Sequence, residues 1–383
     1  MQTPVPSIRA VLAAAVIVPA LAVGAILIWL SSSTATEIGA QLGETALAGA
    51  MDSVEAELAG YLVEAERFSS LTVSRIQNGD LPADDFGAWQ EPMVRQLNAF
   101  ENIAVICFGT TDPRTVWLVR TPTAYEIGRQ DASTGGLLVE HRVSFAGSRD
   151  ETPVNSYEFN PQVRPWWIAG QDTIGGRWSA PYTWIQRDGA DHEISVAFAR
   201  RVLSSDGRFL GVLSVDLTLD ELSVFLSQTP FSRSGELYVL DNQGRLVASS
   251  SGGVVTQAGE RPLLADAGDE RARLVAAALI GRDAAGPRAH FEAQFEEGPA
   301  WVRQRAFQSA EGVDWTIVAA LPEAEFLAGA REIQRHAFLV GLAALGAVVL
   351  LAALLARWIS RPIMAVRAHV GRVAQGDFES RLS

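Results

Sequence analysis

The chain has 383 residues, 48% of them hydrophobic and 8% aromatic, which suffices for two or three domains with sizeable cores. A net charge of -13 excludes a general nucleic-acid binder, and a single cysteine, Cys107, excludes an intrachain disulfide. All 31 basic residues are arginine, a matter of base composition and not of mechanism.

Residues 10–30 carry no charge and follow Arg9. A bilayer core about 30 Å thick takes about 20 helical residues, so this stretch is expected to span a membrane. A cleaved signal peptide is the competing reading, with Ser33-Thr34-Ala35 as its cleavage site. Signal cores run to about 7–15 residues, and the greater length here favours an uncleaved anchor.

From Ile38 the pattern turns helical. Ile38, Leu42, Leu47, Met51, Val54, Leu58 and Leu62 recur at helical spacing, and the pattern breaks at Gly79-Asp80-Leu81-Pro82. About 40 helical residues make a rod of roughly 60 Å, long enough to carry motion mechanically; packing on the helix's own domain is the plainer reading, and the two are compatible.

Strand-like runs follow. Asn102 to Gly109 and Thr115 to Arg120 flank a Thr-Asp-Pro turn; Arg177 to Arg187 and His192 to Val202 flank an Asp-Gly hairpin turn; Gly207 to Leu217 completes the set. After a helix start at Thr218-Leu219 and a linker near Gln228-Thr229-Pro230, a second set begins. It comprises Glu236 to Asp241, Arg245 to Ser250, Ala289 to Phe295, Ala300 to Phe307 and Trp315 to Leu321. One long helix followed by two antiparallel sheets gives an α+β fold class. Cys107 falls in the apolar run Ile103–Phe108 and reads as a buried core residue.

Residues 337–356 are again free of charge and precede Arg357, giving a second span. Arg9 lies before the first span, and five arginines from Arg357 to Arg381 lie after the second, so both ends are expected in the cytoplasm. Residues 31–336, with 25 arginines against 42 acids, are then extracytoplasmic.

Three stretches carry a resemblance. Arg164-Pro165-Trp166-Trp167, Trp178 to Trp184 and Gly211 to Leu219 resemble the distal module of a double Cache sensor. Leu237 to Ser250 and Val313 to Val318 resemble the two ends of its membrane-proximal module. Arg361-Pro362-Ile363 and Gly376-Asp377-Phe378 are similar to the start of a HAMP relay. The resemblance implies this order: cytoplasmic N-terminus 1–9, transmembrane helix 10–32, long periplasmic helix 33–82, distal Cache domain 83–228, proximal Cache domain 229–330, transmembrane helix 337–358 and partial HAMP domain 359–383. Both Cache domains would be PAS-like antiparallel sheets. The whole would be a multi-pass receptor of the bacterial inner membrane, homodimeric along the Ile38–Leu62 stripe as such relays are, signalling to a nucleotide cyclase or histidine kinase output absent from these residues.

The resemblance also implies a site. In the amino-acid-binding branch of such sensors the pattern runs Tyr, Arg, Trp, Tyr, then Tyr-x-Asp, then Asp. Arg164, Trp166, Tyr182 and Asp216 match, whereas Phe159 stands at the first tyrosine, Trp167 at the second and Trp184 at the aspartate. Arg164, Trp166, Trp167, Tyr182, Trp184 and Asp216 are therefore the candidate ligand-binding residues. A guanidinium forks a carboxylate, indoles form flat walls, and Asp216 accepts from an amine. The ligand would be a small anionic or zwitterionic metabolite, and the lost acid shifts preference toward one that is more apolar or lacks an amine. Each residue also has a plain structural reading: Arg164 pairing with Asp216, Trp166 packing as framework, Tyr182 and Trp184 facing the core, Asp216 capping a helix.

Two other functional classes stay open. An extracytoplasmic hydrolase needs a nucleophile and base, yet His141, His192, His290, His336 and His369 are scattered and no Gly-x-Ser-x-Gly or His-Glu-x-x-His is present. Asp188, Asp191, His192 and Glu193 form a metal-like group, but in a hairpin turn solvated acids are the norm. No cofactor, catalytic residue or metal site is implied. A membrane-anchored scaffold is the third class; the HAMP-like residues speak against it.

Overall fold

The computed structural model describes residues 8–184, 193–229, 231–252, 260–280 and 290–374, with some side chains of its two terminal helices outside that description. Asp188, Asp191 and His192, the turn Arg187–Ala190, Pro230 of the linker and Gly376–Phe378 lie outside the described residues. The chain forms two units: Thr45–Glu325, and a second made of Met1–Glu44 with Phe326–Ser383.

Helix α1 runs Ile8–Gln77. In the Thr45–Glu325 unit its residues Leu47, Met51, Val54, Leu58 and Leu62 are at most 3% exposed. These five positions of the expected homodimer seam are covered by the helix's own domain, so the seam does not run along them, whereas Leu42 of the same stripe is 56% exposed. The helix stops where Gly79 turns left-handed at φ 83°, with the Leu81 N–H closing on the Arg75 carbonyl at 3.2 Å.

Helix α2 (Gln90–Asn98) and the first sheet follow. The sheet comprises β1 (Val105–Thr110), β2 (Thr115–Arg120), β3 (Tyr125–Gln130), β4 (Leu138–Val143), β5 (Arg149–Tyr157), β6 (Arg177–Trp178), β7 (Tyr182–Thr183), β8 (Ile194–Leu203) and β9 (Phe209–Thr218). All pairings are antiparallel, in the order β5-β4-β3-β2-β1-β9-β8-β6, with β7 also on β8. The short helix α3 (Pro165–Gly170) crosses β8 and β9, and α4 (Leu219–Gln228) leaves the end of β9 through a capping box between Thr218 and Glu221.

Alternation divides the sheet into two faces. Phe108 on one face stacks on Trp89 at 5.3 Å. Val105, Cys107 and Val119 on the other join Ala197, Ala199 and Val212 beneath Trp166 and Trp167. Gly170 lets α3 lie this low: a Cβ there would sit 2.6 Å from Val212 and 2.9 Å from Ala199.

The second sheet comprises β10 (Glu236–Asp241), β11 (Leu246–Ser249), β12 (Phe291–Phe295), β13 (Gly298–Gln308) and β14 (Asp314–Pro322), ordered β11-β10-β14-β13-β12, with helix α5 (Glu270–Leu279) before β12. The two sheets and α1 touch at several points among the described residues. The Trp178 N–H donates to the Glu311 carbonyl at 2.9 Å, the Ser249 N–H to Ser223 Oγ at 3.3 Å, and Arg305 pairs with Asp52 and Glu55 at 2.6 and 2.8 Å.

Helix α6 (Glu323–Ala374) follows β14 directly. Among the described residues one segment, Phe338–Leu355 of α6, is long and apolar enough to cross a membrane. Two such segments were expected; residues 10–30 are helical within α1, but many of their side chains lie outside the described residues. The HAMP-like Arg361-Pro362-Ile363 continues α6 as helix. Within the same unit the Phe326 ring occupies the space at Gly43, 2.8 Å from where a Cβ would stand.

Candidate functional site

The six candidate residues come from three places in the first sheet's domain and meet on the face beneath α3. Asn160 caps a 3-10 turn at Pro161–Val163, and Pro165 opens α3. Arg164 lies between these two prolines' elements with extended backbone, φ -81° and ψ 145°, as a residue before proline prefers. That conformation throws its side chain toward β7.

There the guanidinium Nη2 donates to the Thr183 carbonyl at 3.0 Å, and its carbon stands 5.4 Å from the centre of the Tyr182 ring. The Tyr182 hydroxyl donates to Asp216 Oδ2. The same oxygen accepts from Ser195 Oγ at 3.1 Å, and Oδ1 accepts from Ser214 Oγ. Trp184 joins from the far side, its indole N–H donating to Ser195 Oγ at 2.7 Å. The result is one connected network: Trp184, Ser195, Asp216, Tyr182, then Arg164 through the ring face.

Register explains why these groups meet. Asp216 is the Cα partner of both Val105 and Ala197, and Ser195 lies two residues along β8 from Ala197, so all three strands present one face to the network. Small Ala197 and Ala199 leave the space that the larger side chains above fill.

Electrostatics follow from enclosure. Burial pushes the Asp216 carboxyl above its usual range, against the opposing pull of the Ser214, Tyr182 and Ser195 hydroxyls and of the Arg164 charge. Burial first, and then the Asp216 charge, drives the Tyr182 phenol well above its ordinary value. Burial and Asp216 do the same to the Cys107 thiol, which faces this network from β1.

Donor accounting separates the candidates. An ionised carboxylate offers about four acceptor positions, and three hydroxyls take most of those on Asp216. Arg164 has five N–H donors, of which one is committed among the described residues. It forms no direct ion pair with Asp216 among the described residues; Tyr182 stands between them. Trp167 donates to Gln171 Oε1 at 3.2 Å and packs on Phe209 at 6.1 Å, while the edge of Trp166 lies over Gly109, 3.0 Å from where a Cβ would be. Both indoles are nearly fully buried, which puts them in the wall.

Sequence reasoning missed Ser195, Ser214 and the Thr183 carbonyl, since single serines on strands carry no motif. It also missed Trp117, whose indole fills the space over Gly128 on the same face, 2.1 Å from where a Cβ would be. Glu140 is a buried acid further along this face, receiving the Tyr157 hydroxyl at 2.7 Å.

A family model described as Cache domain matches residues 30–330. Similar solved structures include the ligand-binding domain of the Pseudomonas aeruginosa amino acid chemoreceptor PctB in complex with L-Arg, at 14% identity and TM-score 0.46, covering 78% of this chain and 92% of that one. The ligand-binding domain of the Campylobacter jejuni chemoreceptor Tlp3 in complex with L-valine is similar at 12% identity and TM-score 0.48, covering 78% and 98%. That of the Pseudomonas fluorescens chemoreceptor CtaA in complex with L-serine is similar at 15% identity and TM-score 0.43, covering 76% and 98%.

Proposed function

The chain belongs to the Cache domain family, and from that premise we propose that it is a membrane-bound receptor whose first sheet takes up a small carboxylate-bearing metabolite at Arg164. One observation carries the choice of ligand class: a half-buried guanidinium with four N–H donors uncommitted among the described residues, beside an acid whose acceptors are mostly taken. A free fork in a partly desolvated place favours a planar anion. Trp166, Trp167 and Trp117 supply the apolar wall for the rest of the ligand. Trp184, which stands where an amino-acid sensor has an acid, is tied inward to Ser195, so the ligand needs no amine.

The receptor role rests on the family, on the apolar segment Phe338–Leu355 and on the arginine asymmetry of the sequence. In this reading the sheets are extracytoplasmic, residues 10–30 form the other span, and α6 leads into a HAMP relay and an output domain such as a cyclase or kinase. The assembly is a homodimer whose seam does not run along the buried Leu47–Leu62 part of the α1 stripe. Ligand binding shifts the balance of two states only by its differential affinity for them.

The test is calorimetry on the full chain in lipid nanodiscs with small mono- and dicarboxylates, each paired with its primary amide. Binding of a carboxylate with its amide at least tenfold weaker is expected. Equal binding of acid and amide, or binding of amines alone, overturns the ligand class.

A further inference from the structure

We propose that Glu325 and the loop Ser232–Gly235 form a clasp that hands displacements of the Asp216 strand to the helix bearing Phe338–Leu355. The inference rests on the receptor reading above and names the positioning residues of its relay.

Glu325 lies in the first turn of α6, thirteen residues before Phe338. Its carboxylate accepts four hydrogen bonds from one short loop: Ser232 Oγ at 2.6 Å, Arg233 N at 2.8 Å, Ser234 Oγ at 2.9 Å and Ser234 N at 3.4 Å. Charge-assisted bonds to a carboxylate are about twice as strong as neutral ones, so the loop and the root of α6 are tied at one point. The loop is tight in itself: the Gly235 N–H donates to Ser232 Oγ at 2.6 Å, and a Cβ at Gly235 would come within 2.6 Å of the Phe231 ring. Burial works against ionisation of Glu325, but the bonds from Ser232, Arg233 and Ser234 win and hold it below the usual range.

The other end of the device is α4. Asp216 is two residues before Thr218, the N-cap of α4, and α4 ends at Gln228, four residues before Ser232. Ten helical residues make a rod of about 15 Å that transmits translation with little compression. Thr218 and Glu221 lock its start reciprocally at 3.2 and 3.4 Å. At its end Thr229 Oγ1 closes on the Phe225 carbonyl at 3.2 Å. A strand movement at Asp216 is carried along α4 as one rigid element to Thr229, three residues before Ser232. A cavity of about 240 Å³, lined in part by Leu226, Ser232, Ser250 and Arg271, leaves room beside the loop to move.

The test is hydrogen–deuterium exchange by mass spectrometry on the full chain in lipid nanodiscs, which needs no ligand. Asp216→Asn serves as the perturbation of the strand, and the double variant Ser232→Ala/Ser234→Ala opens the clasp. We expect Asp216→Asn to change exchange of residues 323–327 by about threefold or more when the clasp is intact, and by less than about 1.5-fold when it is open, the non-additivity that marks coupling. Equal changes with and without the clasp overturn the proposal, as does no change with it intact. If Asp216→Asn fails to fold, Tyr182→Phe replaces it under the same criteria. Ligand binding is measured separately through Arg164, so loss of the ligand reading and loss of the clasp give different patterns.

Discussion

Tyr182 reaches 34 residues along the chain to donate its phenol hydrogen to Asp216, while the Arg164 guanidinium lies over its ring at 5.4 Å. One side chain thus links the acid and the base of the site, which form no direct ion pair among the described residues. In the proposed reading that separation leaves Arg164 to meet an outside anion.

Tyr182→Phe keeps the ring under Arg164 and removes one of three donors to a buried carboxyl. A hydrogen bond to a charged group is worth about 1.5–3 kcal/mol, so a loss of about 2 kcal/mol in denaturant-induced unfolding is expected. An unchanged midpoint would show that the bond carries nothing.

The Asp216 carboxyl titrates above its ordinary 3.8 because burial disfavours its charge. Its protonated form is therefore favoured by folding, and the stability it confers is present at low pH and lost as pH climbs through its folded value. For an anion at Arg164, protonating Asp216 removes a nearby negative charge. Affinity for a small alkylsulfonate, which does not itself titrate, should rise as pH falls through the raised Asp216 value. An amine bound at Asp216 would show the opposite slope, and calorimetry across that titration separates the two.

Gly170→Ala forces a methyl into the 2.6 Å gap above Val212. The helix α3 must rise, taking Trp166 and Trp167 with it, and overpacking of this kind costs about 1–3 kcal/mol. Thermal unfolding and carboxylate affinity should fall together; a fully stable variant with native affinity would mean that the wall is loose.

Arg305 makes two short ion pairs with α1, yet its partners Asp52 and Glu55 are 70% and 44% exposed. Exposed pairs are worth about 0–1 kcal/mol, so Arg305→Ala should lower stability by less than about 1 kcal/mol. A larger loss on denaturation would mean that these bridges hold the second sheet to α1.

Strong local signals made much of the fold legible. Thr115–Arg120 and Glu236–Asp241 read as strands to the residue, because apolar runs with β-branched and aromatic residues there end in turn residues. Strands β3, β4 and β5 escaped. β3 buries Glu126 and Gln130, so its polarity hides its place in the core, and β5 is an exposed edge strand carrying Pro153. The α1 stripe was read correctly as apolar, but its Leu47–Leu62 part is covered by the helix's own domain and not by a second copy, since periodicity gives a face but not what covers it. At the site, Arg164, Trp166, Tyr182 and Asp216 stood out through the resemblance to a double Cache sensor. Ser195 and Ser214 did not, because their importance comes from register across β1, β8 and β9, which the sequence does not display.

The central claim, an anion fork at Arg164, is met most directly by titrating the tightest-binding carboxylate into the full chain and into Arg164→Ala and Arg164→Lys. The account predicts at least about a hundredfold loss for alanine, since a lost charge-assisted pair is worth about 3 kcal/mol, with lysine in between because it keeps the charge and loses the fork. Native affinity in Arg164→Ala, with Asp216 and Tyr182 intact, would contradict it.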